Sequence, residues 1–333
     1  MPSDACDLVT GGTGFIGAHV VRALLARGRR VRCLVRGESR RDNLEGLGVE
    51  LVVGDVTEPR TLAPALRGVA TVFHCAADYR LWARDPEELQ RVNVGGTQNV
   101  LEAAARAGVR RVVHTSSVGA LGSSSNGSPA DERTPVERDA LIGAYKRTKY
   151  DAERVAESWT ARGLPVVIVN PSAPVGERDI KPTPTGRLIV DFLNGRLPAY
   201  VDTGLNLVDV HDVAEGHLLA AEKGRPGERY ILGNRNMTLL EILEMLAGIA
   251  GRPAPRLRLP HWLPLTLAAV DTFVAKLLGR EPRVSLESVR LSRHKMFFDA
   301  GKAVRELGLP QTPVEEPLRR AVAWYRENGY APR

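Results

Sequence analysis

The chain has 333 residues and a net charge of +7, a length that suits one large domain with a smaller companion. The positive excess comes mostly from arginines interspersed with acids, and no nucleic-acid-binding module is recognisable, so nucleic acid is not expected as a partner. Cys6, Cys33 and Cys75 each lie in an apolar run and are expected to be reduced core residues. The first residues lack the basic flank and apolar stretch of a secretory signal, which predicts a cytoplasmic protein.

Short apolar runs alternate with helical patterns along the first half of the chain. The predicted strands are Asp7 to Thr10, Val31 to Val35, Glu50 to Val53, Thr71 to His74, Val109 to His114 and Pro165 to Asn170. This alternation predicts an α/β fold with a doubly wound parallel Rossmann sheet, in which the loops after the strands line one edge. We assign residues 1–172 and about 204–225 to this dinucleotide-binding domain, with Leu205 to His211 as a strand that returns to the sheet edge.

A glycine-rich turn follows the first predicted strand. The sequence Gly11-Gly12-Thr13-Gly14-Phe15-Ile16-Gly17 lies between that strand and a segment with helical apolar spacing. Gly11 permits the tight turn, Gly14 lets backbone N–H groups approach a pyrophosphate at the positive end of the helix, and Gly17 allows close helix–strand packing. A glycine turn in this context predicts a dinucleotide-binding site.

The second predicted strand ends in Arg36 rather than in an acid. NAD-binding folds of this type usually place an acid there to accept from the ribose 2′-hydroxyl, whereas an arginine can clamp the 2′-phosphate of NADP. Ser39, Arg40 and Arg41 could add donors. Glu38 is the counter-evidence, because it could take the role of the acid if the register shifted by two residues. On this charge pattern we favour NADP over NAD.

Two later segments bring polar groups that can carry proton chemistry. Tyr145 and Lys149 lie four residues apart on a predicted helix, hence on one face, where an ammonium beside a phenol lowers the pKa of the phenol. Upstream, the strand Val112-Val113-His114 places Ser116 and Ser117 at its carboxyl end, where open α/β sheets bind ligands. The alternative is that these serines merely satisfy a loop or cap a helix.

The glycine turn, Ser117 and the Tyr145/Lys149 pair, in this order, resemble the short-chain dehydrogenase/reductase superfamily. The resemblance is to its extended branch, the NAD-dependent epimerase/dehydratase proteins, and it covers nearly the whole chain. It implies that Tyr145 exchanges a proton with the substrate oxygen, that Lys149 holds the nicotinamide ribose, and that Ser117 hydrogen-bonds the substrate.

The same resemblance implies further cofactor contacts after the third and fourth strands. Asp55 matches the adenine-contacting acid of the family, although a role as a turn residue is nearly as well supported by the sequence. The segment from His74 to Ala77 matches one that runs under the cofactor, and Asn93 matches a helix residue that supports the active site. The predicted cofactor-binding residues are Gly11, Thr13, Gly14, Phe15, Ile16, Gly17, Arg36, Asp55, Val56, Ala76, Tyr145, Lys149 and Pro171.

Residues 173–203 and 226–333 are expected to form a smaller, mixed substrate-binding domain. Leu239 to Ile249 has helical spacing, and Pro313 to Tyr325 predicts a final amphipathic helix. The apolar segment 261–278 is too interrupted to span a membrane. A buried helix is favoured for it, with peripheral membrane contact through an interfacial helix as the alternative.

Substrate clues come from three segments, 77–86, 180–187 and 193–202. They are similar to proteins called hopanoid-associated sugar epimerases and, more distantly, to the dihydroflavonol 4-reductase and 3β-hydroxysteroid dehydrogenase groups. Sugar-nucleotide epimerases of the family carry an Arg for the diphosphate where this chain has the run beginning at Asn206. Sugar dehydratases place an acid pair directly after the active-site hydroxyl, where this chain has Val118 and Gly119.

We therefore predict an NADP-dependent reductase or dehydrogenase that interconverts a hydroxyl and a carbonyl on a bulky, partly apolar or lipid-linked substrate, with the polyol or sugar portion of a hopanoid as the candidate. Tyr79 and Trp82 are expected to line the substrate site with Ser117. An NAD-retaining sugar epimerase and a non-catalytic NADP(H)-sensing protein remain alternatives. His211 and His217 are expected to pack locally without binding a metal, since no third ligand is evident. A homodimer is compatible with the sequence.

Overall fold

The computed structural model describes residues 6–80, 85–122, 128–277 and 286–332. The strands are β1 Cys6–Thr10, β2 Arg30–Val35, β3 Glu50–Val53, β4 Val69–His74, β5 Arg111–Thr115, β6 Val166–Pro171, β7 Ala173–Val175, β8 Ala199–Val201, β9 Gly204–Asp209, β10 Arg229–Leu232, β11 Arg235–Thr238, β12 Leu257–Leu259 and β13 Lys295–Met296. The helices are α1 Phe15–Ala26, α2 Leu62–Leu66, α3 Pro86–Gln90, α4 Gly96–Arg106, α5 Ala144–Ala161, α6 Pro184–Leu193, α7 Val210–Lys223, α8 Leu239–Ala250, α9 Trp262–Leu277, α10 Leu286–Leu291, α11 Gly301–Leu307 and α12 Glu315–Glu327.

Seven parallel strands form the larger sheet, in the order β10, β6, β5, β4, β1, β2, β3. Consecutive residues of its central strands enter different cores, since Leu8 and Val112 pack on one face and Val9 and Val113 on the other. Helices α1 and α7 cover one face, and α4 and α5 cover the other. Burial on both faces explains why these strands are nearly continuous apolar runs. The predicted doubly wound α/β fold and its six predicted strands are confirmed.

Two strands differ from the prediction. The segment Leu205 to His211 is predicted to return to the large sheet, but β9 instead pairs with β7, β11 and β13 in a separate sheet. The edge beside β6 is taken by β10, from the segment assigned to the substrate domain. Because β10 runs parallel to β6, the chain must cross over one face of the sheet before β10 begins. Helix α7, which lies between β9 and β10 in the sequence, makes this crossover and packs beside α1. Residues 229–232 thus lie in the dinucleotide-binding sheet and residues 204–209 in the smaller one.

A third apolar core lies between the smaller sheet and helices α6, α8 and α12. Ile189, Leu246 and Leu318, one from each helix, are buried in it. Helix α8 begins with a capping box in which Thr238 and Glu241 satisfy each other's backbone N–H groups. The two predicted helices of this region are present, the last one shifted by two residues toward the C-terminus. None of the described helices is long and apolar enough to cross a membrane.

Candidate cofactor and active site

The glycine turn brings the end of β1 against the segment after β4. Gly11 has φ +70°, and a Cβ there would meet the backbone nitrogen of Ala76 at 2.7 Å. A Cβ on Gly17 would overlap the carbonyl oxygen of Gly11, while the N–H of Gly14 donates to that oxygen at 2.9 Å. Because these contacts are with backbone atoms, no side-chain movement could relieve them. The turn therefore requires glycine at Gly11 and Gly17.

Helix α1 begins directly after this turn without a side-chain cap at Gly14. Its first N–H groups are therefore available to an anion at the positive end of the helix. Thr13, Phe15 and Ile16 are only partly buried beside this end. The turn and the uncapped helix fit the pyrophosphate of a dinucleotide, and they would hold it through backbone N–H groups.

Asn43 supports the turn and was not identified from the sequence. Its buried amide donates to the carbonyl of Thr13 and to that of Arg178, both at 3.2 Å. Arg178 has φ +66°, the one positive value at a non-glycine among the described residues. Asn43 therefore fixes the glycine turn to the segment that follows β7. These contacts join positions far apart in the chain, so no local spacing announces them.

The carboxyl ends of β2 and β3 carry two of the predicted cofactor residues. Arg36 is exposed and makes no side-chain hydrogen bond or ion pair within the described ranges. Arg40, by contrast, is paired with Asp42 at 3.0 Å and is thus engaged. Asp55 accepts from the backbone N–H and the hydroxyl of Thr57, both at 2.8 Å and both through Oδ1. Asp55 therefore has the turn role considered above, and its second oxygen is the atom available to an adenosine.

Three further predicted residues, Ala76, Val56 and Pro171, lie at or just after the carboxyl ends of strands at the same edge. The backbone N–H of Ala76 donates to the hydroxyl of Thr10 at 3.2 Å, so the chain after β4 is held beneath the glycine turn. Val56, after β3, is buried against Gly96, where a Cβ would overlap its side chain. Pro171 is the buried last residue of β6. The carboxyl ends of parallel strands meet at one edge of the sheet, so the predicted cofactor residues share that edge.

Ser117, Tyr145 and Lys149 meet where β5 ends against α5. The hydroxyl of Ser117 accepts from the N–H of Gly119 at 3.0 Å, so Ser117 caps the helical turn that follows it, as the alternative interpretation predicted. The same side chain is close enough to the phenol of Tyr145 to lower its pKa. Lys149 is buried, and its Nζ donates to the carbonyl of Thr115 at 2.7 Å. The three predicted catalytic side chains are thus brought together.

The protonation of this group differs from the expectation. Burial raises the pKa of Tyr145, a hydrogen bond with Ser117 opposes the rise, and the Asp78 carboxylate adds to it. The net effect is a raised pKa, not the lowered one expected from Lys149, because removal of the phenol from water outweighs the other contributions. Burial also lowers the pKa of Lys149 to about 8, and the nearby Glu153 carboxylate opposes that change.

Two buried asparagines hold this site in place. Asn170, at the end of β6, donates to the carbonyl of Ser117 at 3.0 Å and to Glu153 at 2.6 Å. Asn93, expected from the resemblance to support the site, donates to Thr148 at 3.0 Å and exchanges two hydrogen bonds with the backbone of Asp78. Asn93 lies in a π-helical turn, Arg91–Gly95, a local irregularity that often marks functional sites.

The predicted substrate residues have different outcomes. The hydroxyl of Tyr79 donates to the carbonyl of Lys181 at 3.0 Å, which ties the loop after β4 to the substrate-binding region. Burial together with Asp179 and Asp78 raises the pKa of Tyr79 to about 12. Tyr79 is therefore a neutral, partly buried side chain after β4 that contacts the segment before α6. Trp82 lies outside the described residues.

The two histidines considered for metal binding have different surroundings. His217 is fully buried and bonds Thr115 at 2.9 Å and a carbonyl of its own helix at 2.7 Å, so it packs locally as expected. His211 instead bonds Glu177 at 2.7 Å, and His19 lies 3.9 Å from the same oxygen. The ligand atoms of these three residues lie within 4.8 Å of one another, so a third group is present that the sequence did not reveal. Arg320 donates to the other oxygen of Glu177.

A Rossmann sheet whose edge carries a glycine turn and a Ser, Tyr and Lys group defines an extended short-chain dehydrogenase/reductase. The model of the NAD dependent epimerase/dehydratase family matches residues 8–233, so the chain belongs to that family.

Three similar proteins cover nearly the whole chain. A dihydroflavonol 4-reductase-like protein of Synechocystis is 51% identical, over 98% of this chain and 96% of its own. Sterol demethylase protein B of Methylococcus capsulatus is 41% identical, over 97% and 98%. The crystal structure of a nucleoside-diphosphate-sugar epimerase from Pseudomonas aeruginosa has a TM-score of 0.82 at 29% identity, with 98% and 99% covered.

Proposed function

We propose that this protein is an NADP-dependent reductase or dehydrogenase that interconverts a carbonyl and a hydroxyl on a bulky, partly apolar substrate. The sterol-like substrate named for the Methylococcus relative and the polyol or sugar portion of a hopanoid are the candidates. The observation that carries the proposal is the placement of Ser117 and Tyr145, whose side chains interact, beside the buried Lys149 at the end of β5. This group supports carbonyl–alcohol chemistry and argues against a non-catalytic sensor.

The protonation of the site favours the reductive direction. Because the pKa of Tyr145 is raised, the phenol keeps its proton at neutral pH and can donate it to a substrate oxygen. Ser117 would orient that oxygen, and the ammonium of Lys149 would stabilise the phenolate left behind. A bound nicotinamide would supply or accept the hydride.

The rival is an NAD-retaining sugar epimerase, which the name of the Pseudomonas relative brings forward. The run that begins at Asn206 argues against it, because sugar-nucleotide epimerases of the family carry an arginine for the diphosphate in this region. The amide of Asn206 is buried and donates to Asn236 at 2.8 Å and to the carbonyl of Phe298 at 3.1 Å. A buried, fully engaged amide offers a diphosphate neither charge nor access.

The preference for NADP rests on Arg36. A guanidinium that is exposed at the end of β2 without a partner among the described residues is available to a 2′-phosphate. Charge-assisted hydrogen bonds of this kind are worth roughly 1.5 to 3 kcal/mol, or about ten- to a hundredfold in affinity. Arg36→Asp should weaken NADPH by that factor and spare or improve NADH, because an acid accepts from the free ribose hydroxyl.

Titration of both cofactors against wild type and variant measures this. Arg30→Asp is the matched control, since Arg30 is an exposed arginine at the amino end of the same strand. It should leave the NADPH to NADH ratio unchanged. A wild type that prefers NADH, or a ratio that Arg36→Asp leaves unmoved, overturns the NADP assignment.

Mass spectrometry of the natively purified protein, followed by an assay with a sterol ketone and with a nucleotide sugar, tests the reaction. We expect net oxidation of NADPH with the apolar ketone. Tightly retained NAD, with interconversion of sugar epimers and no net cofactor turnover, would establish the rival instead.

A further inference from the structure

Large apolar side chains are exposed together in the substrate-binding region. Leu257 of β12 is 60% exposed, and Trp262 and Leu267 of α9 are each 61% exposed. Helix α9 packs through Ala268 and Ala275, which are buried. From residue 262 to 270 the helix carries no charged side chain, and its exposed residues in the first two turns are Trp262, Leu267 and Ala269 with Thr266, whose hydroxyl donates to the helix backbone.

Basic residues border these side chains. Arg258 and Lys295 both contact Asp202, at 2.8 Å and 3.4 Å, and His261, directly before α9, bonds the carbonyl of Asp202 at 3.1 Å. Arg256 is exposed and has no ion pair among the residues the structure describes. Two cations, Arg258 and Lys295, thus share one acid near the start of α9, and Arg256 adds a third positive charge nearby in the chain. We refer to Leu257, Trp262, Leu267, Arg256, Arg258 and Lys295 as the cap surface.

The cap surface is continuous with the candidate active site. Helix α10 packs on α9, and the carboxylate of Glu287 in α10 lies against Gly143, two residues before Tyr145. On the other side, Lys146 donates to the sulfur of Met296 at 3.6 Å, next to Lys295. The cap surface and the amino-terminal end of α5 are therefore linked by directly packed elements.

We propose that the cap surface docks on an anionic lipid bilayer, from which the protein takes its apolar substrate. This inference rests on the proposed function. Tryptophan and leucine beside arginine and lysine are the side chains of interfacial helices, which lie in the headgroup region without crossing it. A second copy of the chain is the weaker occupant, because a symmetric contact would bring the two basic borders together.

Co-sedimentation of the full-length protein with phosphatidylcholine vesicles, with and without phosphatidylglycerol, tests the docking. We expect binding to the mixed vesicles that weakens as salt is raised. The double variant Trp262→Ser/Leu267→Ser should bind at least about tenfold less, since two interfacial anchors are lost. Leu51→Ser/Val53→Ser is the matched control, because these residues are 38% and 63% exposed on β3, outside the cap surface. It should bind like wild type.

Equal vesicle binding by both double variants overturns the proposal. So does wild-type protein that ignores vesicles while light scattering shows a dimer that Trp262→Ser/Leu267→Ser dissociates. Turnover of a small water-soluble ketone with NADPH should be unchanged in the cap variant, since its residues lie outside the catalytic group. Vesicle binding without turnover of any ketone would leave the docking intact and refute the proposed function, so the two failures are distinguishable.

Discussion

Two glycines, one in each half of the molecule, are held by different kinds of neighbour. A Cβ on Gly17 would overlap a backbone oxygen of Gly11, whereas a Cβ on Gly186 of α6 would overlap the carboxylate of Asp179 and the hydroxyl of Tyr325. The glycine turn is thus constrained by close approach of backbone to backbone. The start of α6 is constrained by buried side chains that come from distant segments. The first kind of constraint leaves a short motif in the sequence, and the second does not.

The largest effect is expected at Tyr145, where the dinucleotide-binding half carries its chemistry. Tyr145→Phe removes the transferable proton and keeps the ring, so turnover should fall by about 10² to 10⁴, with little change in cofactor affinity. Steady-state rates on any accepted carbonyl and NADPH titration measure the two quantities. Unchanged turnover would remove Tyr145 from the mechanism.

Gly17→Ala tests the backbone constraint directly. The new methyl would overlap the carbonyl of Gly11, which cannot move without opening the turn. We expect a loss of roughly 1 to 3 kcal/mol in the free energy of unfolding, as in other overpacked sites, and weaker NADPH binding. Denaturant unfolding and cofactor titration provide the measurements. A variant with wild-type stability and affinity would show that the turn is softer than its geometry indicates.

What could be predicted from the sequence follows this division. The glycine turn and the Tyr145/Lys149 pair are local patterns, and the doubly wound parallel sheet predicted with them is confirmed. The supporting roles of Asn43 and Asn170 could not be predicted from the sequence. Each side chain donates to a backbone carbonyl more than 50 residues away in the chain, and a backbone carbonyl gives no sequence signal. The exchange of β9 and β10 was not predicted because both are short strand segments, and no local pattern in either one indicates which of the two sheets it joins.

A pH profile distinguishes Lys149 from its neighbour Lys146. Burial lowers the pKa of each to about 8, yet only Lys149 is placed in the catalytic group. If its ammonium is required, kcat/KM should fall by about tenfold per pH unit above pH 8. Lys146→Met should keep this alkaline limb, and a limb that disappears in that variant would assign it to Lys146.

The contribution of Lys149 to the free energy of unfolding should rise with pH over the range in which activity falls. Below about pH 8 the lysine is charged in both the folded and the unfolded protein, and its burial opposes folding. Between about pH 8 and the ordinary lysine value the folded protein has already released the proton, so the contribution of this group to stability rises with pH. Activity and stability that fall together above pH 8 would contradict the assignment.

The smallest effect is expected at Gly186, and it tests the side-chain constraint. Gly186→Ala should cost about 1 to 2 kcal/mol through overpacking. Asp179 accepts from Tyr325 at 3.0 Å and from the N–H and hydroxyl of Thr183 at 2.8 Å, so its carboxylate has little freedom to move. Because the second obstacle is a removable hydroxyl, the same substitution should cost at least about 0.5 kcal/mol less in a Tyr325→Phe background.

The control for the comparison of Gly186→Ala in the two backgrounds is Gly248→Ala in α8, where a Cβ would meet no atom within 4 Å. That change should stabilise the protein by about 0.5 to 1 kcal/mol, the usual helical preference for alanine over glycine. Equal costs of Gly186→Ala in both backgrounds, measured by denaturant unfolding, would mean that the carboxylate of Asp179 alone, and not the tip of Tyr325, resists the methyl group. The constraint at Gly186 would then rest on one distant side chain rather than on two.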